Sequence, residues 1–271
     1  MQSHEEKLSF LREDLAKMGK VLIAFSGGVD STFLLYVAHE VLGENALPVT
    51  IKSSLFPARE FGWTVDFCRK LGLSQQVIIS NELDNPEFYK NSPERCYICK
   101  KAILGEIFSL ARNLGIEYVA DGTNLDDLDD YRPGMRALKE MGIHSPLLKA
   151  GLTKENIRFL SKEASLPTWN LPSFACLSSR IPYGQKITRE KLQMIEKAEQ
   201  YLMDLGFEQV RVRHHGDIAR VEVTPEERVK FFDPGFMDQV YDFFKSIGFL
   251  YAVLDLRGYR SGSMNEKILS K

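Results

Sequence analysis

Val21-Leu22-Ile23-Ala24-Phe25-Ser26-Gly27-Gly28-Val29-Asp30-Ser31-Thr32-Phe33-Leu34-Leu35 is the stretch whose reading decides the fold. An apolar run, two adjacent glycines and a second apolar run read as strand, tight turn and helix. Paired glycines let the backbone turn sharply and approach a ligand with no Cβ in the way. Exposed N–H groups at the start of the helix, with the hydroxyls of Ser26 and Ser31, would hold an anion. Asp30 is the odd member of such a nest, because a carboxylate beside phosphates makes sense mainly with a divalent cation between them. An ordinary turn with an N-cap would not need strand, glycines, serines and acid to coincide. No lysine follows the second glycine, so the Walker phosphate loop is excluded.

Outward from this stretch, strand candidates at 20–25, 47–53, 75–80 and 117–121 alternate with helices at 30–43, 58–71, 95–114 and 153–165. A short amphipathic helix at 4–19 precedes them. The alternation predicts an α/β domain with a parallel sheet covered on both faces, its ligands bound beyond the carboxyl ends of the strands. Asp121-Gly122-Thr123-Asn124 follows Tyr118-Val119-Ala120 and falls on the same rim, where Asp121 could bind metal or ATP hydroxyls, or simply close the strand. Regularity fails between 167 and 187, a Ser-rich stretch punctuated by Pro167, Pro172, Pro182 and Gly184. Beyond it come a helix at 188–205, Val210–His214, a Gly216-Asp217 turn, Ile218–Val223, helical segments from Pro225 to Ile247 and a strand at 250–255. These predict a smaller α+β domain containing a hairpin. The expected domains are 1–170 and 188–271, joined by the loop 167–187.

At 271 residues, 44% hydrophobic and 27% charged, the chain has the composition of a soluble globular protein. A formal net charge of -2 gives no general attraction to polyanions. No apolar run reaches bilayer length, and the charged N-terminus is unlike a secretory signal, so a cytoplasmic protein is expected. In that reducing compartment its four cysteines should not be structural disulfides.

Cys68 takes an inward position on helix 58–71 and reads as core packing. Cys96 and Cys99 form C-x-x-C in Arg95-Cys96-Tyr97-Ile98-Cys99-Lys100-Lys101 near a helix start, where the helix terminus and adjacent cations favour thiolates. Alone, the pair is compatible with redox chemistry or half of a zinc site. Cys176 lies in the joining segment. Three thiolates suit an iron–sulfur cluster with one iron left open to an exchangeable ligand. A four-sulfur zinc site lacks a well-placed fourth ligand. In the tail, period-two geometry puts Arg211 and Arg213 on one strand face, with Arg220 on the next strand, a spacing suited to a phosphate or carboxylate. The acid-rich stretch 124–134 reads mostly as a solvated loop, and His4, His39 and His144 as structural.

Ser-Gly-Gly-x-Asp-Ser resembles the pyrophosphate loop of the ATP pyrophosphatases, the PP-loop superfamily of adenine nucleotide alpha hydrolase-like domains. Taken with Asp121-Gly122-Thr123-Asn124, Asp130-Tyr131-Arg132-Pro133-Gly134, Ser178-Ser179-Arg180-Ile181-Pro182-Tyr183-Gly184, Val210-Arg211-Val212-Arg213 and Asp217-Ile218-Ala219-Arg220, it resembles the LarE family of ATP-dependent sulfur transferases. That resemblance implies a role in making the nickel-pincer nucleotide cofactor of lactate racemase. ATP would adenylate a carboxylate of pyridinium-3,5-biscarboxylic acid mononucleotide, which becomes a thiocarboxylate as AMP leaves. Ser26, Gly27, Gly28, Asp30 and Ser31 would hold the ATP pyrophosphate and Mg²⁺, with Asp121 and Gly122 beside the nucleotide. Arg180, Arg211, Arg213 and Glu196 would bind the substrate's anions. Cys176 matches a cysteine that one branch sacrifices for its sulfur. Cys96 and Cys99 instead match the branch whose three cysteines hold a [4Fe–4S] cluster and deliver a cluster-bound sulfide, and they favour that branch. The resemblance also implies a homo-oligomer, commonly a hexamer, while the sulfur donor stays undefined. A PP-loop tRNA thiolase is the alternative. It predicts a broad basic surface, which the charge balance disfavours, so neither nucleic acid nor membrane is an expected partner.

Overall fold

The computed structural model describes residues 3–128, 133–172, 175–260 and 263–265. They form two units, one from 3–82 with 94–128 and 133–172, and one from 83–93 with 175–260 and 263–265.

Parallel pairing sets the first unit. Strands β1 (Val21–Ala24), β2 (Ala46–Lys52), β3 (Gln76–Ile79) and β4 (Tyr118–Ala120) lie in the order β3-β2-β1-β4. Val21 stands opposite both Ala46 and Tyr118, and Val49 opposite Gln76. The connections run through α2 (Val29–Leu42), α3 (Ala58–Lys70) and α5 (Arg95–Asn113), after an N-terminal α1 (His4–Met18). Strand alternation divides β1 between two cores. Val21 and Ile23 pack with Leu15, Phe33 and Leu34, whereas Leu22 packs with Val49, Leu104, Ile107 and Val119. Cys68 sits in the first of these cores, where burial pushes its thiol up to about 12.

Helix starts are capped by side chains in α1 (Ser3), α8 (Lys154–Glu163; Thr153) and α9 (Arg189–Asp204; Thr188). Like α3 and α5, α2 starts with no side-chain cap, here after Gly28. Its first-turn N–H groups are thereby left for something other than the protein's own side chains. Two helices in the acid-rich and following region, α6 (Pro133–Met141) and α7 (Pro146–Lys149), are too short for periodicity to disclose.

In the second unit β5 (Val210–His215) and β6 (Ile218–Val223) form an antiparallel hairpin turned at Gly216, whose φ is +67°. Strand β7 (Tyr251–Leu254) returns parallel to β6 after α10 (Pro234–Ser246), giving the order β5-β6-β7. Leu202, Phe207, Val212, Val221, Phe244 and Phe249 fill the core. The short helix α4 (Pro86–Tyr89) belongs to this unit as well, carried by the segment Leu83–Pro93. No helix of the described residues is long and apolar enough to cross a membrane.

Candidate active site

A cavity of about 390 Å³ opens where the parallel strands end, large enough for a nucleotide-sized ligand. Ser26, Gly28, Asp30 and Ser31 line its polar side, and Val49, Ile51, Ile103, Leu104 and Ile107 its apolar side. Lys100, Asp121 and Gly122 also face it. Two glycines are dictated by contact. Gly27 has a φ of +79°, and a Cβ there would lie 2.9 Å from Thr64 Cγ2 and 3.0 Å from Trp63 Cε3. A Cβ on Gly122 would lie 2.8 Å from the Ser31 backbone nitrogen, so the β4 turn rests directly on the first turn of α2.

The loop's hydroxyls are set before any ligand arrives. Ser31 Oγ donates to the Gly28 carbonyl (3.2 Å), accepts from Ser26 N–H (3.3 Å) and lies 3.1 Å from Ser26 Oγ. Asp30 Oδ2 accepts from Lys154 Nζ at 2.5 Å, whereas Oδ1 is buried with no hydrogen-bond partner. An unsatisfied buried carboxylate oxygen is expensive. A divalent cation with hard oxygen preference would satisfy it, so the residues present fit Mg²⁺. Asp121 is 4% exposed and held by Thr123 Oγ1 (2.6 Å), Thr123 N–H (3.3 Å) and Ser145 Oγ (2.7 Å), with Lys100 Nζ at 3.8 Å. Lys154 escapes sequence reading because an isolated lysine beside a helix cap carries no pattern of its own.

Helix α5 joins this cavity to the cysteine pair. Lys100, Ile103, Leu104 and Ile107 line the cavity, while Cys96 is exposed and Cys99 half-buried at the helix start. Between them, Tyr97 lies under the Arg136 guanidinium at 3.8 Å and donates its hydroxyl to Glu140 (2.7 Å). None of the four cysteines is in a disulfide. Cys96 and Cys99 belong to the first unit and Cys176 to the second. Among the described residues, no three His, Cys, Asp or Glu side chains form a metal-holding group.

In the second unit the arginines are organised by two carboxylates that sequence reading missed. Arg180, 2% exposed, donates Nε and an Nη to Glu199, both at 2.9 Å, and another Nη to the Cys176 carbonyl at 3.0 Å. Burial pushes the Glu199 carboxyl up, but the Arg180 charge and hydrogen bonds outweigh it and hold the carboxyl below its ordinary range. Glu199 also accepts from Val212 N–H at 2.9 Å. Arg213 grips Glu222 at 3.0 and 2.7 Å, and Arg220 reaches the other oxygen of Glu222 at 2.9 Å. Arg211 donates to the Val210 carbonyl (2.8 Å), and burial, aided by the nearby Arg180 charge, pulls it down to about 10. Glu196 is half-buried on α9, one turn before Glu199. Cys176 is half-buried with its Sγ 2.9 Å from Ser178 Oγ. Asp129–Arg132, part of the acid-rich stretch, lies outside the described residues.

No family model matches the sequence. The chain is 42% identical over 267 residues to an uncharacterised protein of Synechocystis sp., covering 98% of this chain and 99% of the relative. It is 39% identical over 255 residues to the pyridinium-3,5-bisthiocarboxylic acid mononucleotide synthase of Lactiplantibacillus plantarum, covering 94% and 92%. One component of the glutamine-hydrolysing GMP synthase of Thermoplasma volcanium is 29% identical over 190 residues, covering 65% of this chain and 61% of the relative. The distant match reaches only part of the chain, whereas the mononucleotide synthase match spans nearly all of it. With a parallel sheet whose first strand ends in a glycine turn before an uncapped helix, this chain belongs to the LarE family of ATP-using PP-loop enzymes.

Proposed function

We propose that the protein is an ATP-dependent sulfur transferase acting on pyridinium-3,5-biscarboxylic acid mononucleotide. It adenylates a carboxylate of that substrate, releases pyrophosphate and then AMP, and leaves a thiocarboxylate for nickel-pincer nucleotide synthesis. The observation that carries the reading is Asp30 Oδ1, buried and unpartnered beside the uncapped start of α2.

Mg²⁺ at Asp30 would supply charge neutralisation for the departing pyrophosphate. Ser26, Ser31 and the N–H groups of the turn at Gly27 and Gly28 bind and orient the phosphates. Asp121 and Gly122 bound the nucleotide on the β4 side, and Lys154 and Lys100 offset its charge. The apolar side of the cavity receives the base and excludes water. In the second step the acyl–oxygen bond to AMP breaks as a carbon–sulfur bond forms. Cys96, Cys99 and Cys176 are the proposed holders of a [4Fe–4S] cluster; their thiol chemistry fits it, and none of the three is buried. A cluster held by three cysteines would supply an iron open to an exogenous sulfide. Arg180, Arg211, Arg213 and Glu196 are the proposed substrate contacts. At Arg211, 5% exposed, an anion would relieve the cost that burial puts on the guanidinium charge. Oxygen-labile chemistry of this kind suits the cytoplasm, and by family resemblance the working form is a homo-oligomer.

The test is turnover by protein purified without oxygen, given ATP, Mg²⁺, the pyridinium substrate and sulfide, with iron and acid-labile sulfide counted per chain. Thiocarboxylate and AMP should appear together and vanish in Asp30→Ala. Pyrophosphate release stimulated by tRNA, with no thiocarboxylate formed, would instead establish the thiolase.

A further inference from the structure

The segment Leu83–Pro93 leaves the first unit to pack with the second, and the chain returns at Glu94, two residues before Cys96. Asn91 anchors it. This side chain is 0% exposed, and its φ of +57° is a left-handed conformation that asparagine adopts more readily than most residues. Its Nδ2 donates to the carbonyls of Ile181 (3.2 Å), Pro182 (2.9 Å) and Gln185 (2.9 Å). Its own carbonyl accepts from Gly184 N–H at 2.9 Å, and the Tyr89 carbonyl accepts from Ile187 N–H at 3.0 Å.

The loop 181–187 has no helix or strand to pair these backbone groups, and at its buried ends, Ile181 and Ile187, such groups must be paired. Asn91 and its neighbour Tyr89 therefore do for this loop what a sheet edge does for a strand. The hydrogen bonds continue to the backbone of Cys176. Ile181 N–H donates to the Ser178 carbonyl (3.1 Å), Ser179 N–H donates to the Cys176 carbonyl (3.0 Å), and Arg180 donates to that same carbonyl.

We propose that Asn91 is the positioning residue for Cys176: one buried amide, on the segment that leads into Cys-x-x-Cys, fixes the loop that presents the third thiol. The importance of Cys176 rests on the sulfur-transfer reading, but the strap itself does not.

The experiment compares wild type with Asn91→Gly, which keeps the left-handed backbone, and Asn91→Asp, which keeps the shape but loses the donor. Iodoacetamide labelling of the full, iron-free chain is followed by peptide mass spectrometry, with Cys96 as internal reference. Loosening the loop should raise the Cys176 to Cys96 labelling ratio about tenfold in both variants, while ATP affinity stays at the wild-type value. An unchanged ratio in both would overturn the proposal. Should the Asn91 variants lose ATP binding through misfolding, Gly184→Ala strains the same loop from its other side. Its φ is +82° and an added Cβ there meets nothing within 4 Å, so strain is its sole effect. The same rise in labelling is expected there, and its absence would count against the strap. Wild-type protein that takes up no iron while the variants label faster would sink the cluster reading and leave the strap standing.

Discussion

Replacing Gly122 by alanine tests whether the cavity depends on the contact between the β4 turn and α2. The new Cβ would sit 2.8 Å from Ser31 N, 3.1 Å from Ser31 Cα and 3.2 Å from the Asp30 carbonyl carbon. All three are backbone atoms, so no flexible side chain can swing away. Ordinary contact starts near 3.4 Å, and the two segments must part by about 0.6 Å. Overpacking of this sort costs about 1–3 kcal/mol, a loss of several degrees in melting temperature. The larger effect falls on chemistry, because the atoms displaced are those that would meet phosphate. A shift approaching 1 Å costs up to about a hundredfold in rate, so pyrophosphate release should fall by about tenfold or more. Gly62→Ala is the control: it lies on α3 with nothing within 4 Å of its added Cβ. It should gain about 0.5–1 kcal/mol as a helix-interior replacement and leave pyrophosphate release unchanged. Wild-type melting and wild-type pyrophosphate release in Gly122→Ala would refute the reasoning.

Glu199→Ala strands the buried Arg180 guanidinium and should cost about 3–5 kcal/mol in chemical denaturation, most of it recovered by replacing both partners with apolar residues of matching volume. Arg211→Met should raise the Michaelis constant for the pyridinium substrate about tenfold without altering ATP affinity; equal effects on both ligands would remove Arg211 from the substrate contacts. Burial raises the Glu82 carboxyl above its ordinary 4.5, so the folded state favours the proton and stability declines as pH rises from 4.5 to the folded pKa. Glu82→Gln should therefore melt higher than wild type at neutral pH and lose that advantage below 4.5, which paired melts across that window would check. For His214 the sign is opposite: burial, then the Lys191 charge, lowers it below 6.5, so its neutral form belongs to the fold. Stability should drop as pH falls through 6.5, and His214→Gln should flatten that decline in urea titrations.

What the sequence disclosed was local. The helix expected at 58–71 spans 58–70, and the strand expected at 117–121 spans 118–120, because apolar period and flanking glycine act over a few residues. The Gly216-Asp217 hairpin was legible for the same reason. Parallel return of β7 beside β6 was not, since it depends on where α10 packs. Lys154 meets Asp30 across 124 positions and Asn91 meets Ile181 across 90. Neither residue has a distinctive neighbour in sequence. Glu196, the expected substrate contact, shares a helix with Glu199, yet burial separates them: Glu199 is 1% exposed and bound to Arg180, a fact about packing that charge pattern does not encode.

The two units hold charge by opposite physical means, and the contrast bears on how each tolerates change. In the first, the proposed anion cradle relies on backbone beside the Ser26 and Ser31 hydroxyls: an uncapped helix start and two glycines whose Cβ positions are already occupied by neighbours. At the two glycines the fit comes from the absence of a side chain, so almost any substitution at Gly27 or Gly122 is steric and has no conservative form. In the second, guanidiniums are aimed by buried carboxylates, Glu199 for Arg180 and Glu222 for Arg213 and Arg220. Such pairs add little net stability, because desolvation cancels most of the attraction. What they add is direction: Glu199 is bidentate and fixes the Arg180 guanidinium in both position and plane, while one Glu222 oxygen takes two N–H groups of Arg213 and the other takes one of Arg220. A lysine at position 180 would keep the charge and lose that plane. Arg180 also holds the Cys176 carbonyl, so the loss would reach the thiol through the same loop that Asn91 secures from the other side.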